Sequence, residues 1–188
     1  MYSRDTPLTA KLQRVRLLVS DVDGTLTDGS LYYSVNGEEL KRFHVHDGLG
    51  LQLLQRANIA VALLSQERSA IVQTRARKLG IALCVTGALD KAEAVRQMAQ
   101  QLHIPLDDVA YIGDDLTDLP AMRLVGVSAC PADAVTEVQQ AVDYVCRRPG
   151  GNGAVREFCE LILRARAIEL ESICMHPDQQ VQQVFADL

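Results

Sequence analysis

Asp21, Asp23 and Asp28 fall within eight positions of one another, in LLVSDVDGTLTDG, directly behind an apolar run. Carboxylates crowded in this way repel one another unless a cation or a reaction needs them. A second acidic group, Asp114, Asp115 and Asp118 in GDDLTDLP, follows another apolar run, VAYI. Ser65 ends a third run, AVALLS, and Lys91 opens a helical segment. Mg²⁺ takes a few carboxylate oxygens together with waters and phosphate oxygens, so it resolves such a cluster. One carboxylate then stays ionised as a nucleophile, and a second holds a proton for a leaving group. An ammonium and a hydroxyl neutralise a phosphoryl group in transit. The set suits phosphoryl transfer through an acyl phosphate. Taken singly, each residue has a plainer reading: Asp28 as a turn residue, Ser65 as an N-cap, Lys91 as a solvated helix-start lysine. A lone D-x-D is common; D-x-D-G-T-L-T behind an apolar strand, with G-D-D-x-x-D behind a later one, is not.

Positioning these groups requires strands that end where they begin. Val15–Ser20, Ala60–Ser65, Ala82–Val85 and Val109–Ile112 read as short buried strands, with weaker candidates at Val127–Ala129 and Tyr144–Cys146. Helical patterns lie between them near Gly48–Ala57, Ala70–Leu79, Lys91–Leu102, Asp118–Val125 and Ala134–Ala141. This alternation predicts an α/β fold with a mostly parallel sheet covered on both faces. Ligands of such sheets bind beyond the carboxyl ends of the strands, where the acids, Ser65 and Lys91 fall. One segment breaks the pattern: Leu31–Val35 and Glu39–Val45 flank Asn36-Gly37, a strong hairpin signal. Such a hairpin cannot stand alone, so it is expected over the active face or against another subunit. A last helix is expected from about Ala154 to Glu171, after Gly150-Gly151-Asn152-Gly153, with a weak or frayed tail from His176 onward.

A chain of 188 residues predicts one domain, and 48% hydrophobic with 23% charged residues is ordinary for a soluble globular protein. A net charge of −5 argues against a nucleic-acid face and leaves room for a small anionic substrate. The first residues lack the apolar core of a secretory signal, and no apolar run approaches the ~20 residues of a membrane span. Five cysteines, none spaced as Cys-x-x-Cys, read as reduced thiols, so a cytoplasmic location is expected.

DVDGTLTDG, the LLS that ends at Ser65, Lys91 and GDDLTDLP, in that order, resemble the four motifs of the haloacid dehalogenase superfamily. LYYSVNGEELKRFHVHDGLGLQLLQ and RRPGGNGAVREFCELIL extend the resemblance to its small capless subfamily, which contains 3-deoxy-D-manno-octulosonate 8-phosphate (KDO 8-phosphate) phosphatase. The match spans roughly residues 13 to 163. It implies a three-layer Rossmann-like fold with a hairpin flap near 31–45, and a C-terminal helix and tail over 154–188. It implies Asp21 as nucleophile, and Asp23 as the acid that protonates the departing sugar oxygen and then activates water. Mg²⁺ would sit on the Asp21 carboxylate, the Asp23 carbonyl and Asp114. Ser65 and Lys91 would hold phosphoryl oxygens, with Asp115 and Asp118 supporting Lys91 or metal-bound water. The resemblance also implies a homotetramer whose hairpins form a central barrel and lid each other's sites.

Some positions depart from the subfamily. In Ser65-Gln66-Glu67-Arg68-Ser69, Glu67 stands where an octulosonate phosphatase often has a cation. That glutamate resembles relatives acting on nonulosonate 9-phosphates. Arg75 and Lys78 could pair with Glu67 or with a substrate carboxylate, or form a plain surface cluster. His46, before Asp47-Gly48, and Asn152, after Gly151, stand where arginine is frequent. Glu67, Arg68, Arg75, Lys78, Asp47 and Gly151 are therefore the expected substrate contacts. Readings from other classes are a noncatalytic oligomeric binding module, which loss of a leading aspartate would favour, and a response-regulator-like domain, which the hairpin speaks against.

Overall fold

A computed structural model describes residues 7–175. After a first helix α1 (Pro7–Arg14), strand β1 (Leu17–Asp21) leads into a hairpin, β2 (Tyr32–Ser34) and β3 (Gly37–Leu40). Helix α2 (Val45–Arg56), β4 (Ala60–Ser65), α3 (Ala70–Lys78), β5 (Leu83–Thr86) and α4 (Lys91–Gln101) follow. Then come β6 (Val109–Ile112), α5 (Leu119–Met122), β7 (Val127–Cys130), α6 (Thr136–Ala141), β8 (Tyr144–Val145), α7 (Ala154–Ala165) and α8 (Leu170–Met175). Among the described residues the main sheet has six strands in the order β5-β4-β1-β6-β7-β8, and each neighbouring pair is parallel. Strand order reverses at β1: the chain leaves it outward through β4 and β5, then returns to its other side at β6.

Side chains alternate across each strand, and the two halves of that alternation make two cores. Leu18, Val61, Leu63, Ala110 and Ile112 pack toward α1, α2, α3 and α7. Leu17, Val19, Ala62, Leu64, Val109 and Tyr111 pack toward α4, α5 and α6. Burial on both faces explains why these strands read as unbroken apolar runs. The expected three-layer α/β architecture with a hairpin after the first strand is therefore present.

Several boundaries differ from the sequence reading. The hairpin turn is Val35-Asn36, because Ser34 pairs with Gly37, and Gly37 opens β3 at φ 110°. The second hairpin strand stops at Leu40, and Val45 starts α2. The helix expected over Asp118–Val125 shrinks to a 3₁₀ turn, Leu116–Asp118, and four α residues with Pro120 in their first turn. The helix expected to run to Glu171 ends at Ala165; Ala167 takes φ 55°, a left-handed residue after which the chain restarts as α8. Helix α1 had no counterpart in the sequence reading. The expected frayed tail from His176 lies outside the described residues.

Candidate active site

Strand β1 carries Asp21 on its last residue, 3% exposed, and β4 carries Ser65 on its last residue. Past β6, Gly113 leads to Asp114 and the 3₁₀ turn. Lys91 heads α4 behind Asp90, whose carboxylate caps the helix by accepting from the Glu93 N–H at 2.9 Å. The pleat of three parallel strands and one helix start thus delivers groups from four places in the sequence to one end of the sheet.

Lys91 is the centre of the arrangement. Its ammonium donates to Asp21 Oδ1 at 2.6 Å and to Asp118 Oδ1 at 2.6 Å, with only 5% of its side chain exposed. Asp118 is wholly saturated: Oδ1 also accepts from the Tyr111 hydroxyl at 2.6 Å, and Oδ2 accepts the Asp114 and Asp115 N–H groups at 3.0 and 3.1 Å. Asp21 has its other oxygen, Oδ2, buried with no partner among the described residues. Asp114 sits across from it, with Oδ1 accepting from Thr25 Oγ1 at 2.9 Å. One oxygen each of Asp21, Asp114 and Asp118 lies within 4.8 Å of the others. Since Asp118 is already satisfied, Asp21 and Asp114 are the side chains with oxygen valence left for a cation.

The electrostatics follow the geometry. Burial, then the Asp118 charge, pushes the Asp21 carboxyl well above its ordinary range, against the pull of Lys91. Asp114 is pushed up to about 6 by burial and by Asp118, with the Thr25 hydroxyl opposing. Burial works against the Lys91 charge, but Asp21 and Asp118 more than offset it and its pKa is raised. Two carboxylates short of positive charge beside one saturated ion pair are a fit for a hard divalent cation. Gly24 makes the approach possible: it holds φ +90°, and a Cβ there would stand 2.1 Å from Asp114 Oδ2.

Asp23 turns the other way from Asp21. Its Oδ2 accepts from Ser65 Oγ at 2.9 Å and its Oδ1 from Lys41 Nζ at 2.6 Å. Lys41, with 1% of its side chain exposed, also pairs with Glu38 Oε1 at 2.5 Å, and Glu38 Oε2 accepts from Ser69 Oγ at 2.7 Å. A chain of contacts therefore ties the hairpin to both the β1 and the β4 loops. Gly150 and Gly151 press on the β1 loop from the far side; a Cβ on Gly150 would lie 1.8 Å from the Gly24 carbonyl oxygen.

The expected substrate contacts separate. Gly151 touches the β1 loop, donating its N–H to Thr25 O at 3.0 Å. Glu67 and Arg68 are exposed beyond Ser65. Asp47 is reassigned: it is 0% exposed and its carboxylate accepts the Gly153 and Arg156 N–H groups at 3.1 and 2.8 Å. It therefore caps α7 and holds the glycine loop, which leaves no oxygen facing a substrate. Arg75 lies over the Phe43 ring, 5.4 Å from its centroid, and against Gly48. Neither it nor the exposed Lys78 pairs with Glu67 among the described residues. Asp115 caps the 3₁₀ turn through the Leu116 N–H at 2.6 Å and leaves the bracing of Lys91 to Asp118. Asp28 accepts from the Ser30 N–H as a turn residue and also pairs with Arg42 at 3.1 Å. Lys41, Arg42, Thr25 and Tyr111 were not singled out from the sequence. A phenol inside the strand VAYI was the one visible sign, since a buried hydroxyl needs a partner.

A family model of haloacid dehalogenase-like hydrolases matches residues 52–158, a span that holds Ser65, Lys91 and Asp114 to Asp118. The 3-deoxy-D-manno-octulosonate 8-phosphate phosphatase of Haemophilus influenzae is 46% identical over 156 residues, 83% of this chain and 87% of that protein. Its Escherichia coli K12 counterpart is 43% identical over 157 residues, 84% of each. Among solved structures, the Moraxella catarrhalis phosphatase in complex with magnesium, phosphate and KDO superposes with a TM-score of 0.85. It is 40% identical and the match covers 89% of this chain and 96% of that one. The cobalt-bound Haemophilus influenzae enzyme superposes at 0.82, with 45% identity and coverage of 84% and 92%. With its acids and lysine at the strand ends and these similarities across most of its length, the chain belongs to the haloacid dehalogenase-like hydrolases.

Proposed function

We propose that the protein is a magnesium-dependent phosphatase that hydrolyses KDO 8-phosphate to KDO and phosphate through a phosphoaspartate on Asp21. The observation that carries this reading is the buried, unpartnered Oδ2 of Asp21, whose sister oxygen is held by Lys91. An oxygen so placed is a nucleophile whose lone pairs no protein donor occupies and whose orientation is settled. The names and bound ligands of the relatives supply the substrate.

In this reading Asp21 Oδ2 attacks phosphorus and the bond from phosphorus to the sugar oxygen breaks. Asp23 delivers a proton to that departing oxygen, then takes one from the water that attacks the phosphoaspartate, so that Asp21 is regenerated and phosphate leaves. Lys91 and Ser65 meet the oxygens of the transferring group. A bound Mg²⁺, held by Asp21, Asp114 and the Asp23 carbonyl, supplies charge neutralisation for the carboxylates and the phosphoryl oxygens. Lys41 and Ser65 aim the Asp23 carboxylate from two sides.

The hairpin supports assembly into the homotetramer. Leu31, Tyr32, Tyr33, Val35 and Leu40 are 46–102% exposed, an apolar patch on an element too small to fold alone. No helix among the described residues is long and apolar enough to cross a membrane. Free thiols at Cys84, Cys130, Cys146, Cys159 and Cys174 support a reducing, cytoplasmic setting. Glu67, exposed just beyond Ser65, favours a second reading in which the substrate is a nonulosonate 9-phosphate. Rates on KDO 8-phosphate and on nonulosonate 9-phosphates, measured side by side with Asp21→Asn as control, decide between them. We expect KDO 8-phosphate to lead and Asp21→Asn to lose about 10³-fold or more in kcat. A large preference for the nine-carbon substrates overturns the first choice, and an unimpaired Asp21→Asn overturns the mechanism.

A further inference from the structure

Tyr111 carries a buried phenol that the proposed reaction leaves without a task. It lies in β6 opposite Val19 of β1, and strand alternation turns it toward α4, the helix that Lys91 heads. By the same alternation Asp21, two residues beyond Val19, lies on that side of the sheet. Gly113 follows Tyr111 by two positions. A Cβ there would stand 2.4 Å from Asp118 Cγ, so the missing side chain is what lets Asp118 fold back against the strand end. Tyr111 and Asp118 are both 0% exposed, and the phenol donates to Asp118 Oδ1 at 2.6 Å. Burial, then the Asp118 charge, holds the phenol well above its ordinary range, so it stays a neutral donor.

The oxygen it meets is the one that Lys91 meets. Asp118 Oδ1 accepts from the Tyr111 hydroxyl and from Lys91 Nζ, each at 2.6 Å, and Lys91 Nζ also donates to Asp21 Oδ1 at 2.6 Å. Two carboxylates thus share one ammonium, under unequal terms. Asp118 spreads its charge over four donors, because the Asp114 and Asp115 N–H groups fill Oδ2. Asp21 has Lys91 as its one side-chain donor among the described residues. Donors that converge on one oxygen share its lone pairs and repel each other, which weakens its hold on each of them. The effect is largest where no water dilutes it. Lys91 accordingly stands at the same distance from both acids and does not collapse onto the fully buried Asp118. Without the hydroxyl, Asp118 Oδ1 would keep Lys91 as its one donor. The ammonium would then be drawn toward Asp118 and away from Asp21.

We propose that Tyr111 is a positioning residue for phosphoryl transfer: by sharing Asp118 Oδ1 with Lys91, it keeps the ammonium on Asp21 and available to the oxygens of the transferring group. The assignment rests on the proposed phosphatase activity, and it applies to any phosphate monoester that Asp21 attacks.

The test is Tyr111→Phe, which keeps the ring that packs toward α4, in the Mg²⁺-loaded full chain. The substrates are KDO 8-phosphate and p-nitrophenyl phosphate. On both, kcat is expected to fall by about 10- to 100-fold, the size of a lost hydrogen bond to a charged group. KM should stay within about 2-fold, since the hydroxyl governs the aim of Asp21 and not the capture of substrate. Orthovanadate takes a fifth oxygen in line, as phosphorus does in transit. Its affinity, measured by calorimetry, should fall by the same factor as kcat. Unchanged kcat and vanadate affinity overturn the assignment, whether or not Tm falls. A loss expressed in KM alone, or a fall in kcat with vanadate binding intact, overturns it too. A variant that cannot be obtained folded makes the hydroxyl structural and likewise overturns it. Each of these leaves the phosphatase reading intact. A wild-type protein that releases phosphate from neither substrate overturns that reading and the role of Tyr111 with it.

Discussion

Lys91 stands between two buried carboxylates and is the residue on which the site depends most. Lys91→Met would strand Asp21 and Asp118 without their shared counter-charge. Removing one partner from a buried ion pair costs about 3–5 kcal/mol, so the metal-free variant should unfold at markedly lower urea concentration, and its phosphatase activity should vanish. A variant of unchanged stability would mean that Lys91 does not hold the charges as described. Asp114 makes a second prediction. Its pKa of about 6 stands above the 3.8 of an ordinary aspartate, so the folded metal-free protein prefers the protonated form. The stabilisation this gives is complete below pH 3.8 and is lost as pH rises through about 6. Mg²⁺ takes the ionised form, so the gain in Tm on adding Mg²⁺ should widen from pH 4 to pH 7. At Mg²⁺ about 100-fold above its Kd, the gain at pH 7 should be roughly 5–10 °C. Asp114→Asn should shrink that widening; a gain independent of pH would count against a carboxylate cation site here.

Elements bring these residues together, and the glycine-rich loop before α7 shows how closely. Gly150 lies so near the Gly24 carbonyl that a methyl group at 150 would enter it at 1.8 Å. Both neighbours are backbone and neither can step aside cheaply. Gly150→Ala should therefore cost about 1–3 kcal/mol, read as a lower Tm, and should lower kcat by shifting the loop that carries Asp23. Normal Tm and kcat in this variant would show that the loop yields more easily than its packing implies. The same loop is fastened from behind by Asp47, which the sequence reading had assigned to substrate. Asp47 lies in the segment that resembles the capless subfamily, and only its two backbone partners, Gly153 and Arg156, reveal a cap. Helix lengths suffered from similar local ambiguity. Asp115, Asp118 and Pro120 favour a tight turn over a long helix, and left-handed Ala167 has no glycine to announce it.

At the scale of the whole molecule, the hairpin is the feature a lone protomer leaves unresolved. Tyr33 is 65% exposed and Val35 102% exposed on an element with almost no core of its own. Replacing both with serine should convert the proposed tetramer into smaller species, seen by light scattering coupled to size exclusion, and lower kcat by opening the sites to water. A tetramer that survives the double change would place the contact elsewhere.

The order of the motifs, the α/β alternation and the grouping of acids with one serine and one lysine were legible from the sequence alone, because each rests on local causes: apolar runs fold as buried strands, and strand ends carry the polar groups next in the chain. Asp21, Asp23, Ser65, Lys91, Asp114 and Asp118 could all be picked out in this way, and the structure brings them together at one end of the sheet. Tertiary structure alone decided which acid faces which cation. Lys41 meets Asp23 across 18 positions and Arg42 meets Asn152 across 110, and both depend on the register and stopping point of a hairpin. Distances of that kind are decided by how two loops pack, and no pattern of neighbouring residues encodes them.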